Sequence, residues 1–250
     1  MKNKQYQELA VCGFAAVKAL EKEHPERIRR LYFTAERAAQ FGDLCRFLSQ
    51  EKIPYNKVET LDLEKLCGSV HHQGVVAMIA QPEIEPLTVE ITADWVRGGE
   101  SAVLLDRVGN ANNLGAIVRS AAFFGIRNIV IPLDEAQSSV TTSSYRVAQG
   151  GMEYVRVYSV RSAVRLLQDM SGKMVRFGTD VRGAAPVSNM ARLRAGKAAL
   201  VVLGNEEAGI SPLIRENCDH LIIIPAVNAA VESLNVAQAA SIILYELAKE

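Results

Sequence analysis

The sequence has no apolar stretch long enough to cross a bilayer, no paired cysteines, no excess of either charge and no low-complexity tract. Each absence excludes a class of function. Its longest apolar stretches, such as 222–225 and 241–244, fall far short of the roughly 20 residues a span needs. Residues 1–8 are polar and lack the apolar segment of an export signal, so a cytoplasmic protein without a membrane is expected. Cys12, Cys45, Cys67 and Cys218 are scattered without a CxxC pair, which suggests neither a zinc cluster nor a disulfide framework; they read as reduced core thiols. Basic and acidic side chains number 28 each. That balance leaves room for local nucleic-acid patches but argues against a protein that coats phosphates along its whole surface. What is present is 250 residues with 49% apolar content, enough for one or two packed domains.

Charge is unevenly spread. Residues 1–82 carry 12 basic and 10 acidic side chains, 83–96 carry four acidic and none basic, and 97–250 carry 16 and 14. Pro82 and Pro86 bracket the start of the acidic block, fixing φ and removing donors, so 83–96 is expected to be an extended linker. It divides a first domain, 1–82, from a second, 97–250. In the first, patterning predicts a helix over 6–20, a strand at 28–33, an amphipathic helix over 35–52, a short strand at 56–58, a helix at 61–66 and a buried strand at 74–80. This is a small α/β layer, with Arg27, Arg29 and Arg30 flanking its first strand. In the second, strands are expected at 102–106, 128–131, 154–157, 173–178, 198–203 and 221–224. Helices begin near Asn112, Thr141, Ser162, Ser211 and Ser233 between and after them. Such alternation predicts an α/β fold with a mostly parallel sheet and helices on both faces.

Three stretches stand out. The first, Leu104 to Ala121, reads as strand, loop and helix, with Asn112 or Asn113 as cap and Leu114, Ile117, Val118 and Ala121 on the buried stripe. Arg119 is off that stripe, about 140° round from Leu114. It is either an arginine on a solvated face or one waiting for a phosphate or oxyanion. The second, Ala198 to Pro212, is a buried strand ending at Gly204 and running into Glu206 and Glu207 before Ser211-Pro212 opens a helix. Ligands bind at the carboxyl ends of parallel strands, which places Gly204 and Glu206 well; the plain alternative is a turn with two solvated glutamates. The third runs from Leu221 through Pro225 to a C-terminal helix that is apolar nearly all round, with Ser233 as its natural cap. Asn235, an amide in apolar surroundings, needs partners. His71-His72 would point to opposite faces of a strand and make a poor metal pair. No GxGxxG follows a strand, so a nicotinamide enzyme has little support.

Taken in order, Asn113-Leu114-Gly115-Ala116-Ile117-Val118-Arg119-Ser120-Ala121, Leu203-Gly204-Asn205-Glu206-Glu207-Ala208-Gly209-Ile210 and Ser233-Leu234-Asn235-Val236-Ala237 resemble the three motifs of SpoU-type RNA 2′-O-ribose methyltransferases of the SPOUT superfamily. Upstream, 11–17 and 72–77 look like the ends of that family's RNA-binding accessory domain. The resemblance implies a C-terminal trefoil knot, a homodimer, and S-adenosylmethionine as methyl donor to a ribose of ribosomal or transfer RNA, without a metal. It places Leu203, Gly204, Ile224, Pro225 and Leu234 at the cofactor and Asn113, Arg119, Glu206, Ser233 and Asn235 at the reacting site. With Arg27, Arg29 and Arg30 flanking its first strand and a proline-bearing acidic linker after it, 1–82 is expected to be an RNA-holding module on a flexible tether. One departure is visible: the loop 225–233 is one residue longer than usual and lacks a common glycine, whose left-handed conformation Asn228 is expected to supply. That departure keeps a second reading open, a non-catalytic RNA-binding protein that retains the fold.

Overall fold

The computed structural model describes residues 7–133, 137–228 and 230–249. The chain forms two compact units, one made of 1–83 with 140–154 and the other of 84–139 with 155–250.

The first unit begins with β1 (Glu8–Cys12), α1 (Phe14–Glu23) and β2 (Ile28–Phe33). It continues with α2 (Gly42–Gln50), β3 (Tyr55–Lys57), α3 (Thr60–Cys67) and β4 (Val75–Ala80). The helix expected over 6–20 is therefore a strand followed by a helix. Gly13, at φ 102°, separates them, and the buried run Leu9–Cys12 pairs antiparallel with β4 instead of forming a helix face. The helix expected over 35–52 also divides, into a 3₁₀ segment at Ala35–Phe41 and then α2. The sheet order is β1-β4-β2-β3, with β3 parallel to β2 and the other pairings antiparallel.

All four cysteines are free. Cys12 is buried against Leu63, Val76 and Met78, and its thiol, hydrogen-bonded to Cys67 and desolvated, is pushed well above the usual range. His72 is buried, and its Nδ1 accepts from the Gly74 amide at 3.0 Å.

The second unit opens with β5 (Glu85–Pro86), α4 (Val89–Gly98), β6 (Ala102–Asp106), α5 (Ala111–Phe123) and β7 (Asn128–Pro132). Next in the chain is α6 (Thr142–Ala148), which belongs to the first unit and packs on β1. The second unit resumes with β8 (Arg156–Val160), α7 (Ala163–Asp169), β9 (Val175–Thr179), β10 (Ala185–Pro186) and α8 (Met190–Arg194). It ends with β11 (Ala199–Gly204), α9 (Pro212–Glu216), β12 (His220–Ile223) and α10 (Val236–Ala248).

Residues 83–96 are thus not a free linker. Glu85–Pro86 pairs with β8, and α4 buries Trp95 against Tyr158, because its apolar positions lie on one face and Thr88 caps it. Nor is there one crossing between units: the chain passes at 83/84, 139/140 and 154/155. Within the first unit, Arg27 donates to Glu153 Oε2 at 2.6 Å and to the Tyr145 hydroxyl at 2.8 Å, which ties 140–154 to residues far upstream.

Among the described residues, the eight strands of the second unit run parallel throughout, in the order β10-β12-β9-β11-β6-β7-β8-β5. Their central members are buried on both faces, as unbroken runs such as 102–106 and 199–204 require. Leu104, Val130 and Val202 face a core with Trp95, Leu167 and Ile214 from α4, α7 and α9. Successive side chains in a strand alternate, so Val103, Leu105, Val201 and Leu203 point to the opposite layer. There α5 packs on α10, with a Ser120–Ser241 hydroxyl contact of 2.8 Å between them. Late in the chain, β12 takes its place between β9 and β10, both formed from earlier sequence. The Ile222 carbonyl accepts from the Asp180 amide at 3.0 Å, and a Cβ on Gly183 would sit 2.7 Å from Ile222 C, so the 180–186 segment lies tight against β12.

Two caps differ from expectation. Asn110, not Asn112 or Asn113, caps α5 by accepting from the Asn112 amide at 2.8 Å. Asn235, not Ser233, caps α10 by accepting from the Ala237 amide at 2.9 Å.

Candidate active site

The motif residues converge at the carboxyl ends of β6 and β11. At the end of β11 the chain makes a tight turn in which Asn205 and Gly209 exchange backbone hydrogen bonds of 3.1 and 2.9 Å. Asn205 Oδ1 accepts from the Glu207 and Ala208 amides, each at 3.0 Å, and Gly209 supplies the positive φ of 65°. A Cβ on Gly204 would lie 2.7 Å from the Gly209 carbonyl oxygen, so only glycine lets the turn fold back on the strand.

Beside it, Asp106 at the end of β6 is buried, accepts from the Ser211 amide at 2.7 Å and pairs with Arg107 Nε at 3.1 Å. The Arg107 carbonyl accepts from Asn205 Nδ2 at 3.0 Å. The two strand ends are therefore stitched together through Asp106, Arg107 and Asn205. Sequence reasoning gave those three no role. The signal available was an Asp-Arg pair at one strand end and an Asn at the end of its neighbour.

On this platform Asn113, in the first turn of α5, donates to Glu206 Oε1 and accepts from Asn235 Nδ2 at 3.2 Å. Three predicted site residues thus form one chain of amides and a carboxylate, drawn from three separate motifs. Arg119 and Ser233 stand outside it. Arg119 is exposed on α5, six residues beyond Asn113, and its guanidinium has no partner among the described residues. Ser233 is exposed, and no hydrogen bond of it is seen among the described residues.

Of the residues predicted at the cofactor, Leu203 and Gly204 are buried at the carboxyl end of β11. Ile224 is half-buried, Pro225 is exposed and Leu234 is 43% exposed. Asn228 is not among the described residues with positive φ; its side chain instead accepts from the Ala230 amide at 3.0 Å. Ala229 lies outside the described residues.

A cavity of about 330 Å³ lined by Ser101, Asn128, Arg194 and Leu247 sits at the amino ends of β6 and β7, the end away from ligand chemistry in a parallel sheet. Burial pushes the Cys218 thiol up to about 12, so it is no nucleophile at neutral pH. Among the described residues no group of three or more His, Cys, Asp and Glu is placed to hold a metal ion.

Residues 100–245 match the model of the SpoU rRNA Methylase family, and residues 10–85 match a model described as RNA 2′-O ribose methyltransferase substrate binding. A 23S rRNA (guanosine-2′-O-)-methyltransferase RlmB from Bordetella pertussis is 31% identical over 244 residues, covering 96% of each chain. An uncharacterized tRNA/rRNA methyltransferase from Haemophilus influenzae is 35% identical over 157 residues, 63% of this chain but 44% of that one, so this chain spans under half of its length. Among solved structures, the SpoU methyltransferase AviRb from Streptomyces viridochromogenes superposes with a TM-score of 0.76 at 25% identity, covering 99% of this chain and 91% of that one. AviRb has also been solved in complex with AdoMet.

Proposed function

The chain belongs to the SpoU rRNA methylase family, and from that membership we propose that it transfers the methyl group of S-adenosylmethionine to a ribose 2′-hydroxyl of ribosomal or transfer RNA. The observation that carries the reading is the Asn235–Asn113–Glu206 chain at the carboxyl ends of β6 and β11, where the three motifs meet.

Half-buried Ile224 and exposed Leu234, which follow the carboxyl end of β12, offer apolar side chains suited to an adenine ring and a thioether. When bound, that cofactor supplies a methyl group already activated by a sulfonium charge. The chain's own task is to orient the hydroxyl and stabilise the charge that develops on its oxygen. Glu206 fixes the Asn113 amide, and Asn235 holds it from the other side, so the amide is pre-oriented before RNA arrives. Arg119, a cation without a partner among the described residues, supplies charge-assisted hydrogen bonds to the developing alkoxide or the adjacent phosphate. Guanidinium holds its proton too tightly to be a comfortable base, so its role here is electrostatic. Ser233 is exposed and so accessible to the ribose.

The same reading includes a homodimer and a trefoil knot. Phe123 at 82%, Tyr245 at 51% and Ile242 at 37% exposure leave a largely apolar face on the α5–α10 pair, suited to a second copy. The place of β12, late in the chain yet between β9 and β10, is compatible with a knotted C-terminal segment. The work is assigned to the cytoplasm, where the RNA is; among the described residues no helix is long and apolar enough to cross a membrane.

The deciding experiment is mass-spectrometric mapping of ribose methylation in cells with and without the gene, paired with calorimetry using S-adenosylhomocysteine. Loss of one 2′-O-methyl mark together with measurable cofactor binding supports the reading. An unchanged map with RNA binding retained would establish the non-catalytic alternative.

A further inference from the structure

The basic residues expected to meet RNA are largely committed elsewhere. Arg27 is paired with Glu153 and Tyr145, and Arg30 with Glu8, so two of the three cations flanking β2 hold the first unit together.

The register of the four-stranded sheet brings a different set to one end. Phe33 lies opposite both Lys57 and Val75, and Cys12 lies opposite Val76. The carboxyl ends of β1, β2 and β3 and the amino end of β4 therefore share one edge, which carries Phe14, Thr34, Arg37, Lys57, Gln73 and Gly74. There the Arg37 guanidinium lies over the Phe14 ring, 4.7 Å from its centroid. Its Nε donates to the Gln73 carbonyl at 3.0 Å and its Nη1 to Gln40 Oε1 at 2.9 Å. Gln73 Oε1 in turn accepts from the Phe14 amide at 2.8 Å.

Gly74, at φ +79°, has no room for a side chain: a Cβ would lie 2.9 Å from Arg37 Cγ and from Thr34 Oγ1. The arginine stem is thus held by backbone and amide groups, and neither Arg37 nor Lys57 has a carboxylate partner among the described residues. Lys57 and Gln73 are exposed and Arg37 is partly so. A planar cation fixed on an aromatic ring, with a second uncompensated cation at the same edge, suits a nucleic-acid backbone with unpaired bases. Phosphate takes the charges, and a base stacks beside the guanidinium.

We propose that this sheet edge, with Arg37 and Lys57 as its cations, is the surface by which the first unit holds RNA. It rests on the reading of RNA as substrate and names the residues that grip it. The full chain is titrated by filter binding with a 23S ribosomal RNA transcript, and separately with bulk transfer RNA, from 50 to 200 mM salt. Lys57→Gln, which removes no described contact, and Arg37→Gln should each weaken binding about 3- to 10-fold at low salt and reduce the slope of log affinity against log salt by about one. Arg37→Lys should keep the slope and lose affinity, since a lysine stacks poorly. Affinity for S-adenosylhomocysteine should not move in any of them.

Parent-like RNA affinity for both Lys57→Gln and Arg37→Gln at every salt concentration overturns the proposal, even if methyl transfer is intact. A parent that binds the transcript but never methylates a ribose overturns the activity instead, and weakened binding by the two variants still supports the surface. A parent that binds neither RNA overturns both.

Discussion

Asn235 serves two helices with one side chain: its Oδ1 accepts from the Ala237 amide at 2.9 Å, capping α10, while its Nδ2 donates to Asn113 Oδ1 at 3.2 Å on α5. Substitution separates the two duties. Asn235→Ala should lose both and cost about 1–2 kcal/mol of stability, a lower Tm by several degrees. Asn235→Asp keeps a capping acceptor and removes the donor, so it should melt near the parent yet methylate more slowly. A parent rate in Asn235→Asp would show that the tie to Asn113 has no part in the reaction.

Arg119 projects from α5 beside a stripe of Leu114, Ile117, Val118 and Ala121 that is wholly buried. Truncation leaves that core filled, so Arg119→Ala should melt within a few degrees of the parent and bind S-adenosylmethionine nearly normally. Methyl transfer should fall about 100- to 1000-fold, the usual consequence of losing a charge-assisted donor at a transition state. Single-turnover rates on a responsive RNA check this, and a variant keeping most of its rate would return Arg119 to the solvated face.

Gly204→Ala should be costly although it adds one methyl group. Its Cβ would press on the Gly209 carbonyl and the Ile210 amide, both main-chain groups held by the Asn205 turn. We expect a loss of about 2–3 kcal/mol, as for other overpacked core positions, with weakened cofactor binding because the turn at the strand end must shift. Denaturant unfolding and calorimetry measure the two effects separately.

Leu234→Arg tests the cofactor surface without touching the core, since Leu234 is 43% exposed. The fold should be unchanged and S-adenosylhomocysteine affinity should drop by at least about tenfold, the effect of replacing an apolar wall with a solvated charge. Undiminished affinity in a normally folded variant would put the cofactor elsewhere.

The Arg176–Asp219 pair gives a pH test. Arg176 Nε and its amide donate to Asp219 Oδ2 at 3.0 and 2.8 Å, holding that carboxyl below its ordinary value of 3.8. A carboxylate whose folded pKa is depressed contributes stability above the unfolded value and loses it as pH falls through the folded one. Asp219→Asn should therefore be destabilised at pH 7, by no more than about 1 kcal/mol because the pair is partly solvated. The gap from the parent should close below about pH 3 in urea midpoints.

Much of the second unit was legible in the chain. The strand at 102–106 follows from its unbroken apolar run, and the buried stripe of α5 from its 3.6-residue period. The three motifs identified Asn113, Glu206 and Asn235 as a set before their contact was seen. Two misreadings arose from short segments read alone. A helix was expected over 6–20; the apolar run 9–12 fits a helix or a strand alike, and pairing with β4 made it a strand. A linker was expected over 83–96 because acidic and proline residues favour solvated extension, while Trp95 inside the same block had a core to enter.

What the sequence determined by itself is therefore the local periodicity, the caps available and the order of the motifs, since these depend on neighbours within a turn or two of chain. What only the tertiary structure decided is which distant groups share a place. It recruited 140–154 into the first unit through Arg27 and Glu153, set β12 between two earlier strands, and gave Asn235 rather than Ser233 the cap of α10. It also committed Arg27 and Arg30 to internal pairs and left Arg37 fixed on Phe14 at a sheet edge. Pairing between residues tens of positions apart depends on which surfaces meet after the chain collapses, and nothing in the spacing of one segment encodes the side chain that another segment brings.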